Sequence, residues 1–289
     1  MADQFKHHRV KLGDVTIHYV REGGGRPVLL LHGWPGFWFD WHLNIPALAA
    51  RFDVIAPDLR GFGYSDKPDL APEKGYTDEA HAADVFGLIG ALELGVVDIV
   101  AYDIGAIVAQ CFALKYPASI RRLVLLNPPY PGIGMRWVDP SHIQETWYQS
   151  FHQLKLAEDL VGSSRRATEL YLRHFLSHWS HDKNLFSDEE VASYVEAFSQ
   201  PGALRGGFNN YRAYRRTGTA ALTPGWKIAH PTLVLWGDSD PIIPVAWSDN
   251  LKDYFTTLTF RKLERCGHFC QREAPETVNH EVTEFLGRG

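Results

Sequence analysis

The sequence predicts an α/β fold in which a mostly parallel central sheet is flanked by helices. Short apolar runs rich in Val, Ile and Leu alternate with longer helical patterns in the first half. The runs lack polar alternation, which is typical of strands buried on both faces of a parallel sheet. Strand signals stop at about residue 135, give way to an aromatic, helical pattern, and return after Pro224. We therefore expect an α/β core, residues 1–134 and 217–289, with a helical cap, residues 135–216, inserted after the sixth core strand.

The individual elements follow from hydrophobic period and turn residues. Val10–Leu12 and Val15–Val20 predict a β-hairpin that turns at Gly13 and Asp14. Continuous apolar runs predict six more strands, namely Pro27–Leu31, Asp53–Ala56, Val97–Ala101, Leu123–Leu126, Pro231–Trp236 and Leu258–Leu263. Longer patterns with helical period predict core helices at Asp78–Leu94, Ile104–Tyr116 and Glu276–Leu286.

The composition is that of an ordinary globular protein and excludes several classes of function. Of the 289 residues, 45% are hydrophobic and 22% are charged, which excludes a disordered or fibrous chain. The net charge is −5 and the basic residues are scattered, so neither nucleic acid nor an anionic membrane is expected as a partner. The expected partner is a small-molecule substrate. A homodimer is left open, because no surface pattern identifies an interface.

Cysteine content and the N-terminal segment favour a cytoplasmic location. Three cysteines in a chain of this length give no disulfide framework, which favours a reducing compartment. The N-terminal segment has no apolar run that could serve as a signal peptide, and no stretch of 18 apolar residues could span a membrane. We therefore expect a cytoplasmic protein.

The strongest local motif lies where the strand ending at Ala101 passes into the next helix. There the chain reads small–x–Asp–x–Gly, with Asp103 in the middle and Gly105 after it. This is the pattern of a nucleophile elbow with Asp in place of Ser, and small neighbours allow its tight turn. The helix dipole would favour the ionised carboxylate. The alternative is that Asp103 only caps the helix.

Three other loops follow predicted strands and supply the remaining parts of a hydrolytic site. His32 to Gly36 occupies the place of an oxyanion loop, so the backbone amides of Trp34 and Ile104 would converge on one oxygen. Asp238 and Asp240 follow the next-to-last strand, and His268 follows the last one. The chain order is therefore nucleophile, acid and base.

With these motifs, nearly the whole chain resembles the α/β-hydrolases, in the branch whose nucleophile is an aspartate. That resemblance implies the α/β-hydrolase fold with a helical cap after core strand 6. It implies that Asp103 is the nucleophile, His268 the base and Asp240 the acid that orients the base. The family's acid lies three residues after the glycine, which favours Asp240 over Asp238. Some dehalogenases place the acid after the preceding core strand, where this chain has Asn127.

The branch contains epoxide hydrolases, haloalkane dehalogenases and haloacetate dehalogenases, and the leaving group has to be chosen among them. Haloalkane dehalogenases bind halide through a Trp after the nucleophile and a polar residue after the His-Gly pair, where this chain has Ile104 and Trp34. Haloacetate dehalogenases carry arginines one and four residues past the nucleophile, where this chain has Ile104 and Ile107. The resemblance therefore points away from both halide sites and from an acidic substrate.

Two cap tyrosines favour the epoxide hydrolases within this resemblance. That family uses two such tyrosines to hold the epoxide oxygen, one before Gln and one before Arg-Ala. Tyr148 precedes Gln149, and Tyr211 precedes Arg212 and Ala213. Phenolic hydroxyls can give a proton to a developing alkoxide. The alternative for either tyrosine is packing within an aromatic cap.

The sequence therefore predicts an epoxide hydrolase that converts an uncharged epoxide to a vicinal diol and needs no cofactor or metal. The residues expected to contact the substrate are His32, Pro35, Phe37, Trp38, Trp147 and Gln149. For the aromatic residues after the oxyanion loop, the alternative is packing of the first helix. Two other functions stay open: a dehalogenase of a small haloalkane or haloacid, and a non-catalytic ligand-binding protein on the same fold.

Overall fold

The computed structural model describes residues 4–217 and 225–288, which form an eight-stranded sheet. The strands lie in the order β1-β2-β4-β3-β5-β6-β7-β8. β1 pairs antiparallel with β2, β2 pairs antiparallel with β4, and the other pairs are parallel. Their bounds are β1 His7–Leu12, β2 Val15–Gly23, β3 Pro27–Leu31, β4 Asp53–Pro57, β5 Val97–Tyr102, β6 Ile120–Leu126, β7 Thr232–Gly237 and β8 Leu258–Leu263.

The inner strands of the parallel part are buried, as their apolar runs predict, whereas the buried run predicted at Leu258–Leu263 is wrong, because β8 lies at the sheet edge and only Leu263 of it is buried. Every residue of β4, β5 and β7 is buried, which agrees with helices on both faces of the sheet. The hairpin of β1 and β2 turns at Gly13 with a φ of +58°. β1 begins earlier than the predicted Val10, because the ring of His7 packs edge-on against Trp38 and stacks on His18.

Helices occupy the connections between strands. In the core regions they are α1 Ile45–Ala49, α2 Pro72–Gly75, α3 Asp78–Ala91, α4 Ile104–Lys115, α10 Leu251–Tyr254, α11 Cys270–Glu273 and α12 Pro275–Gly287. Between β6 and β7 they are α5 Ile143–Phe151, α6 Lys155–Val161, α7 Arg165–His178, α8 Asp188–Phe198 and α9 Ala203–Thr217. α3 packs on α4, and α1 packs on α12. Within the described ranges, no helix is both long and apolar enough to cross a membrane.

Five helices thus stand where the sequence predicts the cap, after the sixth strand. The exact division at residues 135 and 216 stays a prediction.

The functional consequence of the topology lies at the carboxyl ends of the parallel strands. Leu31 at the end of β3 pairs with Ala101 of β5, and Ala101 pairs with Leu125 of β6. Loops that follow neighbouring parallel strands therefore open at one edge of the sheet.

Candidate active site

Asp103 sits on a strained turn between β5 and α4. Its φ is +49° and its ψ is −124°, a conformation that residues with a side chain seldom adopt. The turn is tight, since a Cβ on Gly105 would come within 2.4 Å of the carbonyl oxygen of Leu31. The carboxylate makes no capping hydrogen bond to the first turn of α4. Asp103 therefore has the backbone of an elbow, and its side chain does not act as a helix cap.

The carboxylate of Asp103 turns instead to the loop after β3. The backbone amide of Trp34 donates to its Oδ2 at 2.8 Å, and the amide of Ile104 lies close enough to help lower its pKa. A Cβ on Gly33 would lie 2.5 Å from the Cβ of Asp103, so this loop approaches the carboxylate as closely as glycine allows. The two amides predicted to form an oxyanion hole therefore converge on one carboxylate.

His268 connects Asp103 to a second carboxylate. Its Nδ1 bonds to Asp240 Oδ2 at 2.8 Å, and its Nε2 lies 3.9 Å from Asp103 Oδ1. The other oxygen of Asp240 accepts the backbone amides of Ile242 and Ile243 at 2.8 and 3.0 Å. Because Asp240 is fixed by these amides, it orients the imidazole so that Nε2 faces Asp103. Nε2 has no hydrogen-bond partner among the described residues.

Asp238, the competing acid, lies elsewhere. Its carboxylate bonds to the hydroxyl of Ser239 at 2.8 Å and to the amide of Cys266 at 3.4 Å. Asn127 does not contact the imidazole either. Its Nδ2 donates to the carbonyl oxygens of Gly267 and His268 at 2.9 and 3.1 Å. The structure therefore brings together Asp103, His268 and Asp240.

Burial and neighbouring charges shift the pKa values of Asp103 and His268. Burial raises the pKa of Asp103 above its ordinary 3.8, against the opposing effects of His268 and the amides of Trp34 and Ile104. Burial alone would lower the pKa of His268, but the Asp240 and Asp103 carboxylates outweigh it and raise that pKa above 6.5. The imidazole is therefore a stronger base than an isolated histidine.

Tyr148 of α5 and Tyr211 of α9 meet above this set. Their rings pack edge-on with centroids 5.5 Å apart, and each phenol affects the pKa of the other. Gln149 Nε2 lies 3.5 Å from the Tyr148 hydroxyl, at the limit of a hydrogen bond. Burial and the charge of Asp103 raise the pKa of both phenols. Both therefore stay protonated and can donate.

A cavity of about 720 Å³ joins the nucleophile to the two phenols. Asp103, Tyr148 and Tyr211 line it. Its other walls are mostly apolar, with Ile104, Ile107, Pro129, Val138, Ile143 and Ile242 among them, and Gln149 and Gln153 add amide groups. Of the described residues that line it, Asp103 alone carries a charge. An uncharged, partly apolar ligand matches such a lining.

Five residues predicted to contact the substrate do not line this cavity. Both ring nitrogens of His32 are engaged, since Nδ1 bonds to the carbonyl of Gly33 at 2.9 Å and Nε2 accepts the amide of Leu59 at 3.0 Å. Pro35 is buried inside the loop. The other three are Phe37, Trp38 and Trp147.

The three aromatic residues serve as packing. Phe37 and Trp38 are fully buried and pack edge-on to each other, 6.2 Å apart. Phe37 also packs edge-on against Tyr194 of α8. Trp147 is 41% exposed and stacks on Phe175, away from the cavity. Phe37 and Trp38 lie as the packing alternative expects, and of the predicted contacts only Gln149 lines this cavity among the described residues.

Sequence reasoning missed two residues close to the site. Trp179, after α7, packs edge-on against His268 at 5.1 Å and lies 5.2 Å from Tyr148. It belongs to an aromatic-rich segment without a motif, so no signal singled it out. Asn127 did carry a signal, because it follows β6 as the other functional loops follow their strands. Within the described ranges, no group of three or more His, Cys, Asp or Glu is placed to hold a metal ion.

Comparison with known proteins identifies the family. Residues 26–275 match the family described as alpha/beta hydrolase fold. The chain belongs to the alpha/beta hydrolase family. It is 33% identical to the soluble epoxide hydrolase of Corynebacterium sp. (strain C12), over 99% of each chain. It is 28% identical to human epoxide hydrolase 4, over 96% of this chain and 77% of that one.

Solved structures agree with this assignment. The fold superimposes on the epoxide hydrolase CorEH with a TM-score of 0.83 and 30% identity, over 98% of this chain and 99% of that one. The resemblance implied an α/β-hydrolase fold with a mostly parallel sheet, and that prediction is confirmed; the sheet has eight strands. The protein is therefore a hydrolase, and epoxide hydrolases are among its relatives.

Proposed function

We propose that this hydrolase converts an uncharged epoxide to a vicinal diol through an alkyl ester on Asp103. The observation that carries the proposal is the shared cavity, where Asp103 and the two protonated phenols of Tyr148 and Tyr211 face one apolar space. A nucleophile on one side and proton donors on the other are what ring opening needs.

In the first half-reaction, an oxygen of Asp103 attacks an epoxide carbon and the carbon–oxygen bond of the ring breaks. The departing oxygen takes a proton from Tyr148 or Tyr211, so a hydroxyl forms and a tyrosinate is left. Donors placed where negative charge develops lower the barrier of this step. The product is a hydroxyalkyl ester on Asp103.

In the second half-reaction, His268 Nε2 takes a proton from water and the hydroxide attacks the carbonyl carbon of Asp103. The amides of Trp34 and Ile104 stabilise the resulting oxyanion. Collapse of this intermediate expels the alkoxide, which takes the remaining proton of the attacking water, so the second hydroxyl of the diol forms and the carboxylate is restored. The imidazolium returns its proton to the tyrosinate, so the reaction consumes one water per epoxide. Asp240 stabilises the imidazolium while it exists.

The cavity lining also supports the epoxide oxygen, and not a halide, as the leaving group. Ile104 and Ile107 lie at the two positions where the dehalogenase relatives would need a halide or carboxylate donor, and both present apolar side chains to the cavity. The relatives reported above are named epoxide hydrolases. We further propose that the enzyme acts in the cytoplasm, which is supported by its three free cysteines.

Trapping the ester tests the proposal. In His268→Gln, Asp103 can still be alkylated but the ester cannot be hydrolysed, so the intermediate accumulates. The variant is offered epoxides, haloalkanes and haloacids, and intact mass is measured. We expect a mass gain equal to a whole epoxide.

The double variant with Asp103→Asn is the matched control, because it exposes stray alkylation of cysteine. A gain that survives in the control contradicts attack by Asp103. A gain equal to an alkyl group without its halogen makes the enzyme a dehalogenase instead. No adduct in a folded protein contradicts epoxide hydrolysis for every epoxide offered and favours a binding role.

A further inference from the structure

Three backbone amides converge on the carboxylate of Glu273, which no step of the proposed reaction uses. Oε1 accepts the amides of Gly267 and Phe269 at 2.9 and 3.2 Å, the two residues that flank the base His268. Oε2 accepts the amide of His181 at 2.6 Å. His181 lies between α7 and α8. One carboxylate therefore binds both the inserted helices and residues 267–269 around His268, which we call the base loop.

The same two segments meet at further points. The amide of His268 donates to the carbonyl oxygen of Trp179 at 2.9 Å, and the indole of Trp179 packs edge-on against the imidazole. A Cβ on Gly267 would come within 2.4 Å of that carbonyl oxygen and within 2.7 Å of the His181 amide. The base loop therefore has no room to move without displacing residues 179–181.

The carbonyl groups of the base loop are held from another element. Asn127 Nδ2 donates to the carbonyl oxygens of Gly267 and His268. Its Oδ1 accepts the amide of Gly237, at the end of the strand that precedes Asp240. Asn127 thus fixes the loop to the core sheet, and Glu273 fixes it to the inserted helices. Of these two attachments, only the one through Glu273 depends on how the cap sits.

We propose that Glu273 is a positioning residue that couples the base His268 to the cap, so that the base is correctly aimed only while residues 179–181 are seated. Trp179 belongs to the same contact, because its indole packs edge-on against the imidazole of His268. The kinetic part of this proposal rests on the proposed function. The structural part, in which Glu273 links the cap to the base loop, does not rest on the proposed function.

The charge of Glu273 reaches His268 as well. The carboxylates that face the imidazole are Asp240, Asp103 and Glu273, and each of them raises its pKa. Burial raises the pKa of Glu273 itself, although the three amides partly offset this effect. Removing the charge from Glu273 should therefore lower the pKa of His268, a change that a loss of packing alone would not produce.

The test is Glu273→Gln in the full chain. Its amide oxygen can still accept from Gly267 and Phe269, but its NH₂ group then faces the amide of His181, so the bond to the cap is selectively lost. Hydrogen exchange by mass spectrometry should show faster exchange at His181, and an NMR titration should show a lower pKa for His268. Unchanged exchange at His181 together with an unchanged pKa would overturn the proposal.

The kinetic arm uses single turnovers of an epoxide. Hydrolysis of the ester should slow by about tenfold to a hundredfold, while alkylation changes by less than about threefold, because His268 acts only in hydrolysis. Equal slowing of both steps would mean general structural support and would contradict the proposal. If the wild-type enzyme forms no adduct with any epoxide, the proposed function fails, and the exchange and titration results still decide the role of Glu273.

Glu276→Gln is the matched control. Glu276 is exposed and lies in the first turn of α12, three residues after Glu273. The control variant therefore loses the same charge close to the same place. It should leave hydrogen exchange at His181, the pKa of His268 and both rate constants unchanged. The same changes in both variants would assign the effect to net charge and not to the contact of Glu273 with the base loop and His181. A melting temperature close to that of the wild type checks that Glu273→Gln is folded.

Discussion

The indole of Trp34 stacks on the phenol ring of Tyr148, with centroids 5.6 Å apart and an interplanar angle of 8°. The backbone amide of the same tryptophan donates to Asp103 at 2.8 Å. One residue of the core loop therefore contacts both the nucleophile and a proposed proton donor of the cap. Ring opening needs these two groups on opposite sides of one epoxide, so their spacing depends on how Trp34 packs.

Trp34→Phe tests this dependence. The backbone amide stays, but the smaller ring loses part of the stack and leaves Tyr148 less firmly placed. An aromatic pair is worth about 0.5–1.5 kcal/mol, so alkylation should slow by roughly twofold to tenfold. Ester hydrolysis should change less, because the amide donor remains. Single-turnover kinetics measures both steps.

Trp147→Phe is the control for that substitution, because Trp147 neighbours Tyr148 in sequence but is 41% exposed and is not among the described residues that line the cavity. It should leave both steps unchanged. Equal slowing of alkylation by the two variants would show that Trp34 has no particular role in placing Tyr148.

Tyr148→Phe and Tyr211→Phe should each slow alkylation more than ester hydrolysis. Only ring opening needs a phenolic proton, and general acid catalysis contributes about 10²–10⁴-fold in typical enzymes. Because two phenols share the role, each single variant should lose less than the double variant. The burst of alkyl-enzyme in rapid-quench experiments measures the first step. A defect confined to hydrolysis would rule out the proposed role.

Most of the site could be predicted because its chemistry sits directly after strands. Asp103 and Asp240 each follow a buried apolar strand, His268 follows the partly exposed strand β8, and the parallel sheet brings such positions to one edge. Tyr148 and Tyr211 were found only through local context that resembles a family. Their meeting over Asp103 depends on the packing of α5 and α9, which hydrophobic period alone does not determine.

The substrate contacts were the least predictable part. His32 is the first residue of the oxyanion loop, and its ring is turned to the backbone of Gly33 and Leu59. Phe37 and Trp38 could equally face a pocket or a core, since apolar residue type does not distinguish the two. In contrast, Ile143 and Ile242 line the cavity from positions that carry no motif.

The pKa of His268 should depend on the charge of Asp103. In the free enzyme both Asp240 and Asp103 raise it above 6.5. Asp103→Asn removes one of these charges, so the pKa of His268 should fall in that variant. NMR titration of the labelled imidazole measures the difference. An unchanged pKa would mean that the 3.9 Å approach to Asp103 has no electrostatic effect.

Asp103→Asn should also stabilise the fold at alkaline pH. Because the pKa of Asp103 is raised in the folded protein, its ionised form destabilises the fold above that raised value and has no effect below 3.8. Asn tolerates the positive φ and removes the buried charge, so a gain of about 0.5–2 kcal/mol is expected. The gain should shrink as the pH falls. His268 adds to this trend: Asp103 helps to raise its pKa in the folded wild type, so protonation of the imidazole at low pH stabilises the wild type more than the variant. Urea unfolding at several pH values measures it, and a gain independent of pH would contradict the argument.

Tyr194→Phe should destabilise the protein more at pH 8 than at pH 5. Tyr194 of α8 donates to the buried carboxylate of Asp40 at 2.5 Å, and Tyr102 donates to its other oxygen. Burial raises the pKa of Asp40 to about 6 against the effects of both phenols and Arg272. Without Tyr194 the ionised carboxylate loses a donor, so the loss should grow from about 1 kcal/mol below pH 6 to about 3 kcal/mol above it. Tyr116→Phe, at a ring stacked on Phe86, is the control and should show no such pH dependence in urea unfolding. An equal loss at both pH values for Tyr194→Phe would mean that Asp40 is not ionised beside it.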